Sequence, residues 1–167
     1  MSETADESQA ARKSDDRIFL VVVDETEEMQ VALRFACQRA RNTGGRVALL
    51  YVIEPAEFQH WMAVQDLMRE EARSEGEQLL QRLAAQVNEL VGAMPVLYVR
   101  EGKVREELFK LLDEEPSISI LVLGANTGTR GPGPLVSALT GKMIGKLRVP
   151  VTVVPGNMGD EDIDSIS

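Results

Sequence analysis

The sequence has few of the residues that form disulfides and metal sites, since its 167 residues include one cysteine, Cys37, and one histidine, His60. A single cysteine cannot form a disulfide within the chain, which fits a reducing compartment. One cysteine and one histidine are also too few for a Cys/His metal site. A Ser-His-acid triad would have to use His60, whose surroundings favour a surface role. We find no signal-peptide layout and no apolar run long enough for a bilayer, so we expect a cytoplasmic protein.

Positive charge is also scarce. The chain carries 18 Lys and Arg against 27 Asp and Glu, which gives a net charge of -9. Nucleic acids and anionic membranes bind to basic faces, so neither is an expected partner. Neither a G-x-G-x-x-G motif after a strand nor a G-x-x-x-x-G-K-[ST] motif occurs in the sequence.

What the sequence does contain is an alternation of apolar runs and amphipathic segments. Five runs read as strands: "RIFLVVVD", "RVALLYVIEP", "MPVLYVREG", "SISILVLGA" and "VPVTVVPG". Helical patterns separate them, including one from about 61 to 90 and one in which Leu135, Leu139, Met143 and Leu147 recur every four residues. This order predicts an α/β fold, a single-domain five-stranded parallel sheet with helices on both faces, flavodoxin-like. We expect residues 17–156 to form the domain, 1–16 a disordered tail and 157–167 an acidic tail.

Two loops of such a sheet are candidates for a ligand site, because ligands bind beyond the carboxyl ends of the strands where the winding reverses. The segment after the fourth strand belongs to a stretch, Pro116 to Gly159, that has no Asp or Glu but contains Arg130. Its glycines and a following helix N-terminus suit phosphate. The alternative is plain turn chemistry, in which buried strands lack acids and the cations late in the helix suit its dipole.

The loop after the first strand is acidic, since Asp24 is followed by Glu25, Glu27 and Glu28. Carboxylates repel phosphate, but they accept hydrogen bonds from an adenine amino group or a ribose hydroxyl. The alternative is that Asp24 caps the first helix. Together the two loops predict a base or ribose near Asp24, phosphates near Gly124, and one crevice that both residues share.

The sequence resembles the universal stress protein family over nearly all of residues 17–156, through "FLVVVDETEEMQVAL", "VALLYVIEP" and "LVLGANTG…PVTVVP". The resemblance implies a five-stranded parallel fold of the adenine nucleotide alpha hydrolase type and a homodimer formed through the last strand, Val151, Thr152, Val153 and Val154. ATP-binding members have an aspartate matched by Asp24, a valine matched by Val52 whose backbone meets adenine, and a glycine motif. Gly124 matches the first glycine of that motif, whereas Thr127, Ser137 and Ala138 replace later members.

We therefore expect a regulatory domain without catalytic residues that binds ATP, with magnesium, or another adenine nucleotide. The candidate binding residues are Asp24, Val52, Gly124, Asn126, Gly128, Arg130, Gly131 and Ser137. The alternative is a nucleotide-free module for dimerisation and partner contacts, which would use the apolar segment "EPAEFQHWMAVQDLM".

Overall fold

The computed structural model describes residues 17–55 and 62–167, so the predicted N-terminal tail, His60 and Trp61 lie outside the described residues. A five-stranded sheet has the order β3-β2-β1-β4-β5, and every neighbouring pair is parallel. The strands are β1 (Ile18–Val22), β2 (Arg46–Ile53), β3 (Val96–Glu101), β4 (Ile118–Ala125) and β5 (Val151–Pro155). The helices are α1 (Glu27–Thr43), α2 (Met62–Val91), α3 (Val104–Glu114), α4 (Pro134–Thr140) and α5 (Asp160–Ile166), with a 3₁₀ turn at Ile144–Lys146.

Helices cover both faces of this sheet, as predicted. Successive side chains of a strand point to opposite faces, so Phe19 and Val21 pack with α1, α2 and α5, whereas Ile18 and Leu20 pack with α3 and α4. Cys37 of α1 is fully buried in the first cluster, and burial raises the pKa of its thiol to about 12. No helix in residues 17–55 and 62–167 is long and apolar enough to cross a membrane.

The helix after β4 is shorter than the sequence pattern predicts. The repeat from Leu135 to Leu147 indicated one continuous helix face, but α4 ends at Thr140. Gly141 has φ -105° and ψ -118°, which are not helical angles, and the chain continues as turns and the 3₁₀ segment. Glycine is a poor helix former, and here it stops the helix although the apolar spacing persists.

The segment 157–167, expected as an acidic tail, contains α5, which packs on α1. Ile163 is fully buried in the cluster that α1 shares with the sheet. Arg34 donates to both carboxylate oxygens of Asp164, at 2.9 and 2.8 Å, and this contact lowers the pKa of Asp164. Arg39 donates to the Ser167 carbonyl at 3.1 Å. Burial of Ile163 and the hydrogen bonds from Arg34 and Arg39 of α1 therefore hold this acidic segment on the domain.

The N-terminal half of α2 extends away from the core. The first buried residue of the helix is Gly76, where an added Cβ would overlap the ring of Tyr51. Before this point the helix exposes apolar side chains, with Met62 81% and Leu67 56% exposed. The helix is therefore anchored at Gly76 and beyond, and its first half presents an apolar surface to solvent.

Candidate functional site

A cleft of about 1620 Å³ opens at the carboxyl edge of the sheet, around the point where β1 lies between β2 and β4. Asp24, Val52 and Gly124 all line it. Asp24 and Gly124 are a hundred positions apart in sequence, and the parallel pairing of β1 with β4 brings their ends to the same edge. The structure thus places three of the eight predicted residues in one concavity.

Asp24 organises the start of α1. Its Oδ1 accepts hydrogen bonds from the Thr26 amide at 2.8 Å and from the Thr26 hydroxyl at 2.6 Å. Thr26 is the N-cap, since its oxygen accepts from the Met29 amide at 3.2 Å. Asp24 is exposed, and its Oδ2 accepts no hydrogen bond from any described residue. One carboxylate oxygen is therefore structural, and the other has no hydrogen-bond partner among the described residues, in a residue that lines the cleft.

Gly124 is where the backbone of α1 crosses the end of β4. A Cβ at this position would overlap the carbonyl group of Glu28. Gly156, just after β5, meets Glu28 in a similar way. Gly124 is thus required for the packing of helix on strand, a role that the sequence motif does not reveal and that is independent of any ligand.

The glycine-rich loop after β4 is closed on itself. The Gly128 amide donates to Asn126 Oδ1 at 2.8 Å, the Asn126 amide to the Pro132 carbonyl at 3.2 Å, and the Gly131 amide to the Gly128 carbonyl at 3.4 Å. The left-handed φ of Gly131, 82°, permits this turn. The five other predicted residues, Asn126, Gly128, Arg130, Gly131 and Ser137, are not among the residues that line the cleft.

Four basic residues also line the cleft, and none of them is among the eight predicted binding residues. They are Lys103, Arg105 and Lys110 from α3 and the residue before it, and Lys146 from the 3₁₀ turn. Lys110 pairs with Glu107 at 3.0 Å, and this hydrogen bond raises the pKa of Lys110. The residues that follow β3 could have been found by the same rule that selected the other two loops, because β3 also ends at this edge.

Apolar side chains form the cleft surface on the α3 and α4 side. They belong to the second core cluster or pack against it: Val22, Val52, Phe109, Leu135, Val136 and Met143. Acidic residues also line the cleft: Asp24, Glu25 and Glu28 lie at the β1–α1 side, and Glu54, Glu75 and Glu106 come from other parts of the chain. A cleft with apolar walls and a few converging polar groups is the usual form of a small-molecule site.

Arg148, one of the basic residues in the stretch from Pro116 to Gly159 that has no Asp or Glu, has a structural role. Its guanidinium donates to the carbonyls of Leu112, at 3.0 and 2.8 Å, of Glu115, at 3.2 Å, and of Ile118, at 3.3 Å. These acceptors lie at the end of α3 and the start of β4, where a cation complements the helix dipole.

Within the described ranges, no group of three or more His, Cys, Asp or Glu side chains could hold a metal ion.

Residues 17–155 match the sequence profile of the universal stress protein family. The chain belongs to this family. No curated protein matches the chain. The match covers the whole sheet, so the fold is that of a universal stress protein domain, and α5 lies beyond the matched region.

Solved structures of universal stress proteins have the same fold. UspA from Lactobacillus plantarum is 18% identical, with a TM-score of 0.70 over 84% of this chain and 98% of its own. A universal stress protein from Archaeoglobus fulgidus in complex with dAMP is 18% identical, with a TM-score of 0.53 over 82% of this chain and 95% of its own. A universal stress protein in complex with cAMP is 16% identical, with a TM-score of 0.50 over 83% of this chain and 96% of its own.

Proposed function

We propose that this universal stress protein domain binds an adenine nucleotide in the cleft at the carboxyl edge of its sheet. The observation that carries the proposal is the meeting of Asp24, Val52 and Gly124 in one cleft with apolar walls. Two universal stress proteins of the same fold were solved with dAMP and with cAMP, which supports the choice of ligand class.

The unpartnered oxygen of Asp24 is suited to accept a hydrogen bond from a ribose hydroxyl or an adenine amino group. The Val52 backbone would meet the base, and the apolar cleft surface would contact its ring. Contacts from the loop residues Asn126, Gly128, Arg130, Gly131 and Ser137 to phosphate stay a prediction that requires the loop to open, and magnesium is expected with ATP. We expect nucleotide occupancy to alter a partner surface rather than to lead to hydrolysis.

The first test is the thermal stability of the protein with and without ATP and magnesium. A ligand that binds the folded state stabilises it by about 2.7 kcal/mol at a hundredfold excess over Kd. Asp24→Asn keeps the acceptor for the Thr26 amide but removes the charge that faces the cleft. We expect about tenfold weaker ATP binding in this variant, because hydrogen bonds to charged groups contribute roughly 1.5–3 kcal/mol.

Asp113→Asn is the matched control, because Asp113 is an exposed carboxylate of α3 outside the cleft. It is expected to leave the ATP shift unchanged. If wild-type protein shows neither a shift with millimolar ATP, AMP or adenosine nor a nucleotide released on denaturation, the proposal is wrong.

The proposed homodimer would form through β5, one of the two edge strands of the sheet. An edge strand presents unpaired backbone groups to a second copy, and Val153 is 36% exposed on it. We expect Val153→Glu to convert a dimer into a monomer with an unchanged circular dichroism spectrum, as measured by sedimentation velocity. A wild-type monomer, or a variant dimer of the same affinity, would contradict the assignment.

The second candidate function is a nucleotide-free interaction module. The exposed apolar side chains in the first half of α2, Met62, Val64, Leu67 and Met68, favour it. Leu67→Glu is the variant that separates the two surfaces. Loss of self-association in Leu67→Glu but not in Val153→Glu would move the dimer contact from β5 to α2.

A cytoplasmic location of the protein stays a prediction.

A further inference from the structure

Two basic residues that line the cleft contact the same methionine, one through its side chain and the other through its backbone. Arg105 belongs to the first turn of α3, and its Nη1 lies 4.0 Å from the sulfur of Met143. Lys146 belongs to the 3₁₀ turn, and its amide donates to the Met143 carbonyl at 3.0 Å. The first turn of α3 and the chain that follows α4 therefore meet at Met143, and Arg105 and Lys146 both line the cleft beside this contact.

Neither Arg105 nor Lys146 forms an ion pair with any residue in the described ranges. The cleft lining on α3 and α4 includes the apolar side chains of Phe109 and Leu135, together with the charged residues Glu106 and Lys110. A flat ring placed on this surface, with an anionic chain extending to the two cations, would satisfy both the apolar wall and the charges. Such a ligand has the chemistry of a nucleoside polyphosphate.

The glycine-rich loop offers less to a phosphate chain in this structure. The amides of Asn126, Gly128 and Gly131 already donate within the loop, and Arg130 does not line the cleft. An amide that donates to another acceptor must lose that bond before it binds phosphate. Exposed cations can reorient on their flexible side chains without breaking secondary structure.

We propose that Arg105 and Lys146 bind the phosphate chain of the nucleotide, in place of the amides of the glycine-rich loop. This inference rests on the proposed function, because it assigns the phosphate end of the same ligand. Guanidinium and ammonium groups form charge-assisted hydrogen bonds with phosphate. The affinity is therefore expected to rise with the number of phosphates and to fall with salt concentration.

The test is calorimetric titration of ATP, adenosine and inorganic tripolyphosphate into three proteins. They are the wild type, the double variant Arg105→Gln/Lys146→Gln, and a matched control, Arg82→Gln/Lys142→Gln. Arg82 and Lys142 are exposed cations outside the cleft, so the control loses the same charges elsewhere. We expect the double variant to bind ATP and tripolyphosphate about tenfold or more weakly, adenosine within twofold of the wild type, and the control to match the wild type.

The outcomes separate this inference from the function it rests on. If neither ATP nor adenosine binds, but tripolyphosphate binds the wild type and not the double variant, the adenine site is wrong and the cation pair is supported. If the double variant binds ATP and tripolyphosphate as tightly as the wild type, the cation pair is overturned while nucleotide binding stands. Arg130→Gln then tests the loop, and a selective loss of ATP affinity in that variant would assign the phosphates there.

Discussion

Gly124→Ala is expected to lower the free energy of unfolding by about 3 kcal/mol or more. The added methyl group would occupy the space of the Glu28 carbonyl in the first turn of α1. Because the clashing atoms are backbone, the strain cannot be relieved by a change of rotamer, and α1 must move away from β4. Urea denaturation followed by circular dichroism measures the loss.

Gly145→Ala is the matched control for this substitution. Gly145 does not have a left-handed backbone, and an added Cβ there meets no atom within 4 Å. We expect its stability to stay within about 0.5 kcal/mol of the wild type. If Gly124→Ala is as stable as Gly145→Ala, the close crossing of α1 over β4 is absent. If Gly124→Ala loses much of its free energy of unfolding, reduced nucleotide binding by a Gly124 variant would reflect the unfolding of the protein and would not identify Gly124 as a ligand contact.

Ile163→Ala should release α5 from the domain, with a cost of about 2–4 kcal/mol. Ile163 is fully buried between α5 and the α1 face of the core. The other contacts of the helix are polar and largely exposed, such as the Arg34–Asp164 pair, whose side chains are 26% and 40% exposed. Exposed ion pairs contribute little, so the isoleucine should dominate docking. Faster hydrogen exchange at α5 amides, together with a lower urea midpoint, would measure the effect.

Ile166→Ala is the comparison within the same helix, because Ile166 is 59% exposed. It should change stability by less than about 0.5 kcal/mol, and equal losses in the two variants would mean that α5 does not dock through Ile163.

Acid should weaken the Arg34–Asp164 ion pair between α1 and α5. Arg34 holds the pKa of Asp164 below its ordinary value of about 3.9. The contribution of the pair is therefore complete above that value and disappears as the pH falls through the lower pKa of the folded state.

The sheet was predictable because its strands are continuous apolar runs. Buried parallel strands need no alternation, and β1, β2 and β4 are apolar runs rich in Leu, Val and Ile that follow no helical period. The end of α4 and the helix within residues 157–167 could not be predicted from apolar runs. The spacing from Leu135 to Leu147 indicated one helix because it continues through Gly141, and the acids of 157–167 concealed the single buried Ile163.

The candidate site was predicted in part, for a physical reason. Asp24 and Gly124 follow strands, so the rule for ligand loops in parallel sheets selects them from sequence position alone. The same rule also reaches Arg105, which follows β3. The meeting of Arg105 and Lys146 at one cleft depends on how α3 and the chain after α4 approach each other, and no local pattern encodes that approach. The loop residues Gly128 and Gly131 matched a phosphate-binding composition, but their hydrogen bonds serve the loop itself.

The single thiol of the chain gives a way to time the opening of the core. Cys37 lies on the buried face of α1 with no exposed surface, and its raised pKa keeps it protonated at neutral pH. Because the thiolate is the form that reacts, an alkylating reagent should modify it only in molecules whose α1 has lifted from the sheet. The rate of alkylation of the Cys37 sulfur in native buffer would thus report how often α1 lifts from the sheet.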